Sequence, residues 1–196
     1  MPKYSIIIPV FNRPNEVDEL LQSLIDQTFK DFEVIIIEDG STIRCEEIVK
    51  KYLKTLSVKY FYKNNEGQGF ARNFGFDKAS GDFFIQFDSD IIVPATYFEI
   101  VDKFILNNKI DAFGGPDASH VDFSITQKAI NYAMTSFFTT GGIRGKKNNM
   151  GGKFHPRSFN FGISREVFIK TGGYKLTRMG EDIEFSIRII NAGFKV

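Results

Sequence analysis

The stretch Phe83-Phe84-Ile85-Gln86-Phe87 is strongly apolar and stops abruptly at Asp88-Ser89-Asp90. An unpaired ionised carboxylate inside a buried strand carries too large a desolvation cost to be tolerated. The strand is therefore expected to end here, with both acids where the chain leaves the sheet. Asp-Ser-Asp is also ordinary turn chemistry, so the pattern takes its meaning from the rest of the chain. In an open α/β sheet the carboxyl edge is where ligands bind. Two hard oxygen donors there suit a divalent cation holding a phosphate.

The rest of the first half supplies such a sheet. Strands are expected at 4–10, 32–37, 58–62 and 82–87. Between and after them lie helical segments at 16–27, 46–53, 70–78 and 95–106. In the first of these, Val17, Leu20, Leu21 and Leu24 recur at helical spacing. Strand–helix alternation predicts an α/β fold with a mainly parallel, doubly wound sheet. The second half is less regular. Gly114-Gly115-Pro116 reads as a turn, 123–138 as one or two helices, and 139–157 as a Gly-rich loop. A short strand is expected at 161–164, a helix from Arg165 to the Gly172-Gly173 pair, and a helix at 181–191 ended by Gly193. Phe194-Lys195-Val196 reads as the start of another strand, so the C-terminal part is expected to be incomplete.

Composition narrows the function classes. At 196 residues and 42% hydrophobic content the chain can bury a sizeable core. With 22 Phe and no Trp, some rings are available to line a groove. A net charge of +1 argues against a nucleic-acid footprint. Cys45 is the single cysteine, which excludes an intrachain disulfide and fits a reducing, cytoplasmic setting. No apolar run approaches the ~20 residues that span a bilayer, and Pro9, Asn12 and Arg13 make the N-terminal run a strand rather than a signal peptide.

Three strand ends carry polar residues of ligand-binding type: Pro9-Val10-Phe11-Asn12-Arg13, Glu38-Asp39-Gly40-Ser41 and Asp88-Ser89-Asp90. In a parallel sheet these ends share one edge. Phe11 could stack on a base there, and Asp39 could accept from a base imide N–H. The stretch from Asn65 to Gly75 has glycines but fits neither the P-loop nor the dinucleotide-binding spacing.

Ser5-Ile6-Ile7-Ile8-Pro9-Val10-Phe11-Asn12, Glu38-Asp39-Gly40-Ser41, Asn65-x-Gly67 with Ala71-Arg72-Asn73-x-Gly75, Asp88-Ser89-Asp90 and Gly180-Glu181-Asp182 occur in this order. Together they resemble the family 2 glycosyltransferases of the GT-A fold, over nearly the whole chain. The resemblance implies one GT-A catalytic domain over 1–196, Rossmann-like with helices on both faces of the sheet. Its nucleotide-sugar-binding half would be 1–110 and its acceptor and catalytic half 111–196. It implies sugar transfer with inversion from a nucleotide-diphospho-sugar, UDP-linked in the usual case, to a saccharide or lipid-linked acceptor. Pro9, Phe11, Arg13, Asp39, Arg72, Asp88 and Ser89 then fall to the nucleotide sugar. Asp90 and Asp88 fall to a Mn²⁺ or Mg²⁺ ion, and Asp182 to the general base. Glu181 and Asp182 start a helix and point about 100° apart, so one of them faces the reacting carbon. Asp182 is favoured, with Glu181 binding acceptor or serving the structure.

This chain departs from the family in having Phe11 where Tyr is frequent, and neither His120 nor His155 stands at the family's histidine metal-ligand position. From Phe123 to Arg165 there is no Asp or Glu, and the stretch holds Lys146 and Lys147. It suggests a cationic lid over the donor, or a site for an anionic acceptor at the inner face of a membrane. Asn160 is a candidate for positioning the acceptor or donor sugar. Three other classes stay open: a sugar-phosphate nucleotidylyltransferase, a receiver-type signalling module and a non-catalytic nucleotide-sugar-binding fragment. The first would be expected to carry a Gly-rich loop after the first strand, where Phe11-Asn12-Arg13-Pro14-Asn15 has no glycine. The second would place paired acids after its first strand, whereas here they follow the second and fourth.

Overall fold

The computed structural model describes residues 1–115, 124–126, 128–129, 132 and 155–196. Its elements run β1 (Tyr4–Val10), α1 (Pro14–Ile25), β2 (Phe32–Asp39), α2 (Glu46–Tyr52), β3 (Val58–Lys63), α3 (Gln68–Lys78), β4 (Phe83–Phe87), α4 (Tyr97–Asn108), β5 (Ala112–Gly114), β6 (Asn160–Ser164), α5 (Arg165–Thr171) and α6 (Glu181–Asn191). One six-stranded sheet has the order β3-β2-β1-β4-β6-β5. The first four strands in that order are parallel, and β6 is antiparallel to both β4 and β5. This is the expected doubly wound, mainly parallel, Rossmann-like sheet.

Its central strands are apolar on both faces because both faces are covered. Ile6, Ile8 and Val10 of β1 pack with Leu20, Leu21, Leu24, Val49, Phe98 and Val101 of α1, α2 and α4. Ile7, pointing the other way, packs with Ile35, Ile37, Ala71, Phe76, Val167, Phe185 and Ile189 beneath α3, α5 and α6. On that second face α3 lies close to the sheet. A Cβ on Gly75 would sit 2.5 Å from Ile7 Cγ2 and 2.8 Å from Ile37 Cδ1.

Two details differ from the sequence reading, and a third expectation falls mostly outside the described residues. The expected turn at Gly114 begins inside β5, a three-residue strand too short to register as periodicity. Phe194-Lys195-Val196 forms no strand, although the Lys195 carbonyl accepts from the Asp111 and Ala112 N–H groups. Most of the expected helix at 123–138 and loop at 139–157 lies outside the described residues, as do Lys146, Lys147 and His120.

Strand β2 is buried along its whole length and still contains Glu33, Glu38 and Asp39. Each has dedicated donors. Glu33 accepts from Ser5 Oγ, Ser80 N and Ser80 Oγ, and pairs with Lys59 at 2.7 Å. Burial alone would raise its pKa, but Lys59 and the Ser5 and Ser80 donors outweigh that and lower it from 4.5 to about 2. Glu38 Oε2 accepts from Cys45 N at 2.8 Å, Cys45 Sγ at 3.0 Å and Tyr60 Oη at 3.1 Å. Burial, and then the Glu38 carboxylate, push the Cys45 thiol well above the ordinary cysteine range, so it stays protonated.

Because the Glu33 pKa is lowered on folding, its contribution is fully present above the unfolded value of 4.5 and fades as pH falls toward about 2. Glu33→Gln is expected to cost of order 2 kcal/mol at neutral pH, after allowing for screening at the half-exposed Lys59. It should also flatten the loss of stability across that acid window, as measured by urea unfolding at a series of pH values.

Candidate functional site

The parallel strands end on one edge of the sheet, and the antiparallel β6 begins there. Between the ends of β1, β2 and β4 and the start of α3 lies a cleft of about 780 Å³. Pro9, Phe11, Arg13, Asp39, Asp88, Ser89 and Asp90 all line it, brought together from three strand ends far apart in the sequence. Phe11 is 52% exposed, an aromatic face held open to the cleft.

Two side chains at the strand ends, Asn12 just after β1 and Asp39 at the end of β2, keep this edge in shape. Asn12 adopts a left-handed backbone, φ 56°, which asparagine tolerates better than most residues. Its Oδ1 accepts from Thr42 N and Ile43 N, both at 2.9 Å, while Asn12 N donates to Ser41 Oγ at 2.8 Å. The β1 and β2 loops are thereby stapled together. Asp39 does the same for the β3–α3 loop. Its Oδ1 accepts from Glu66 N at 3.0 Å and Lys63 Nζ at 2.9 Å, and its Oδ2 accepts from Gly67 N at 2.9 Å. A carboxylate offers about four acceptor positions, so one on Oδ2 is left over. Gly67 has φ 92°, a conformation that favours glycine.

Arg72 is placed differently from the sequence expectation. It is fully buried and does not line the cleft. Its Nη2 donates to Asp88 Oδ1 at 2.8 Å and its Nη1 to Glu181 Oε1 at 3.3 Å. Its Nε has no hydrogen-bond partner among the described residues. The guanidinium also lies 5.6 Å from the Tyr174 ring centroid. Beside it, Asn73 Nδ2 donates to Tyr174 O and Asn73 Oδ1 accepts from Tyr174 N, both at 2.8 Å. Helix α3 thus fastens the segment before α6.

The two acids opening α6 part company, as helix geometry requires. Glu181 is buried, with Oε1 accepting from Gln68 Nε2 at 2.5 Å as well as from Arg72. Asp182 is half-buried, and its Oδ1 accepts from Ile183 N at 2.8 Å. Its Oδ2 makes no hydrogen bond among the described residues. At the mouth, Arg13 Nη1 donates to Asp90 Oδ2 at 2.5 Å. Asn160 stands at the same sheet edge, opposite Phe87, but off the cleft lining. Its Oδ1 accepts from Tyr97 Oη at 2.5 Å. His155 is bonded to Ser186 Oγ at 2.9 Å.

Asp88 and Asp90 are the carboxylates available to a metal ion. No cluster of three His, Cys, Asp or Glu exists among the described residues. Two exposed carboxylates still suit a hard cation that completes its shell with phosphate oxygens and water. The cleft also contains Asn65, Gln68 and Arg178, which the sequence reading did not single out. Asn65 lay inside the quoted Asn65-x-Gly67 motif, but Arg178 belongs to no motif.

The Glycosyl transferase family 2 model matches residues 5–172. This chain belongs to glycosyl transferase family 2. A protein described as an uncharacterized glycosyltransferase of Rickettsia bellii is 42% identical over 106 residues, covering 54% of this chain and 15% of that protein. The cholesterol galactosyltransferase of Borreliella burgdorferi is 30% identical over 213 residues, covering 99% of this chain and 57% of its own. Among solved structures, S. aureus TarS in complex with UDP-GlcNAc superposes with a TM-score of 0.74 at 22% identity, over 95% of this chain and 53% of that one. This family 2 chain therefore spans about half the length of the Borreliella protein and of the 1–349 portion of TarS in that structure, and a smaller share of the Rickettsia protein.

A buried guanidinium facing two carboxylates is costly to remove. Arg72→Gln is expected to destabilise the protein by about 3 kcal/mol, because Glu181 is left uncompensated in the interior. Glu181→Gln in the same background should recover part of that loss. A double-mutant cycle by chemical denaturation measures the coupling.

Proposed function

We propose that this chain carries the donor site and catalytic carboxylate of an inverting glycosyltransferase. The donor is a nucleotide-diphospho-sugar, UDP-linked, and the acceptor is a hydroxyl of a saccharide or of a lipid-linked acceptor. The observation that carries the reading is the single cleft into which Pro9, Phe11, Asp39, Asp88 and Asp90 converge at the carboxyl edge of the sheet. The UDP-GlcNAc complex of TarS supports the donor class. The name of the Borreliella relative supports a lipid as one acceptor class.

In this reading Phe11 stacks on the base and Asp39 accepts the base N–H with its remaining lone pair. Asp88 is held by Arg72 to face the ribose. Asp90, with Asp88 beside it, would hold a Mn²⁺ or Mg²⁺ ion, which supplies Lewis-acid neutralisation of the diphosphate. Arg13 then releases Asp90 as the donor arrives. Asp182 takes the proton of the acceptor hydroxyl on its free Oδ2. The acceptor oxygen forms the new bond to the anomeric carbon as the bond from that carbon to the phosphate oxygen breaks. Inversion follows from this single displacement. Glu181, tied to Arg72 and Gln68, fixes the start of α6 and so the direction of Asp182. Asn160, Lys146 and Lys147 are assigned to the acceptor side and to a lid.

Among the described residues no helix is long and apolar enough to cross a membrane. We place the reaction in the cytoplasm, at or near the inner membrane face, where a cytosolic nucleotide sugar meets a lipid-linked acceptor.

Calorimetric titration of UDP with and without Mn²⁺ tests the donor site. A UDP affinity that Mn²⁺ raises, with that gain lost in Asp90→Ala, is expected; silence of UDP, GDP and dTDP alike would sink the reading. Asp182→Asn is expected to keep UDP affinity and to lower kcat by about 10²- to 10⁴-fold. An unchanged kcat would remove Asp182 from the base role.

A further inference from the structure

Every carboxylate lining the cleft already has its own cation. Asp39 pairs with Lys63 at 2.9 Å, Asp88 with Arg72 at 2.8 Å, and Asp90 with Arg13 at 2.5 Å. Arg178 lines the same cleft and is exposed, yet no carboxylate pairs with it among the described residues. Its Nη2 donates to the neutral Asn65 Oδ1 at 3.0 Å. It is the cleft's unmatched charge.

The position of Arg178 is built rather than incidental. Asn65 is itself fixed, its Nδ2 donating to the Asp39 carbonyl at 2.7 Å. The backbone on either side is clasped to the start of α3. Gly69 N donates to Thr177 O at 2.9 Å, and Gln68 Nε2 donates to Arg178 O at 3.3 Å. The approach is close enough to exclude side chains. A Cβ on Gly67 would meet Thr177 Oγ1 at 2.2 Å, and one on Gly69 would meet Leu176 O at 2.3 Å. The two glycines let the 176–178 segment come close enough to hang a guanidinium over the cleft.

We infer that Arg178 receives the diphosphate of the nucleotide donor and does so independently of any metal ion. The inference rests on the nucleotide-sugar reading above and adds a residue to it. A guanidinium offers five N–H donors in a planar fork that matches phosphate oxygens. One of them is committed to Asn65, which orients the plane and leaves the others for the ligand. Charge-assisted contacts of this kind are about twice as strong as neutral ones. An unmatched cation in a cleft also draws anions to it.

The test is titration of uridine, UDP and inorganic pyrophosphate into the wild-type chain, Arg178→Gln and Arg178→Lys, in EDTA and in Mn²⁺. In EDTA the wild type should bind UDP more tightly than uridine. Arg178→Gln should lose roughly 10-fold or more in UDP affinity with uridine affinity unchanged, and pyrophosphate binding should weaken in parallel. Arg178→Lys should fall between the two, because it keeps the charge and loses the fork. An unchanged UDP affinity in Arg178→Gln would overturn the assignment while leaving the donor site standing. Equal losses for UDP and uridine would overturn it too, by placing the guanidinium on the base. Failure of the wild type to bind UDP, GDP or dTDP under either condition would overturn the donor reading and this inference together.

Discussion

Charge does not survive unpaired in the interior of a two-faced sheet, and the architecture of this protein follows from that. Both faces of β1, β2 and β4 are covered, so their polar residues are driven to the strand ends or must find donors of their own. Glu33 and Glu38 show the second outcome. Each is buried, and each is met by several donors from neighbouring strands and loops. Asp88, Asp90 and the Phe11–Arg13 segment show the first. They crowd the carboxyl edge because four parallel strands leave the sheet in the same direction, and a cleft lined by aromatic and charged groups is the result.

Helix α3 connects that edge to the rest of the molecule. Its inner face, with Ala71, Gly75 and Phe76, lies against the sheet. Its N-terminal residues meet Asp39 on one side and Thr177 on the other. Arg72 bridges the end of β4 and the start of α6, and Asn73 holds Tyr174. Asp88 and Glu181 are thus held by one buried guanidinium, whose removal would leave Glu181 an uncompensated buried charge.

The sheet was legible because β-branched runs and helical periodicity are local signals, and the first four strands and helices fall close to where the pattern puts them. The three polar strand ends were legible for the same reason. Strand β5 was not, since three residues carry no period and its place comes from pairing with β6. Arg72, which the resemblance puts on the nucleotide sugar, is instead buried off the cleft lining between Asp88 and Glu181, and those partners come from β4 and α6 and leave no trace beside Arg72 in the sequence. Arg178 carried no signal at all. Its partners Asn65 and Gln68 lie more than a hundred residues earlier, and among the described residues it lacks the carboxylate partner that Arg13, on the same cleft, has in Asp90.

Residue order alone settles the doubly wound topology, the edge of the sheet at which the cleft opens, and the identity of most cleft-lining residues. Desolvation and periodicity act on neighbours in sequence and so can be read there. Which acid stays free and which is consumed, however, depends on long-range partners. Asp182 keeps an open carboxylate oxygen while adjacent Glu181 is locked to Arg72 and Gln68, and Asp39 spends most of its acceptors on its own loop. Those outcomes are set by side chains that meet across the fold, because the energy of a buried charge is decided by what surrounds it in space.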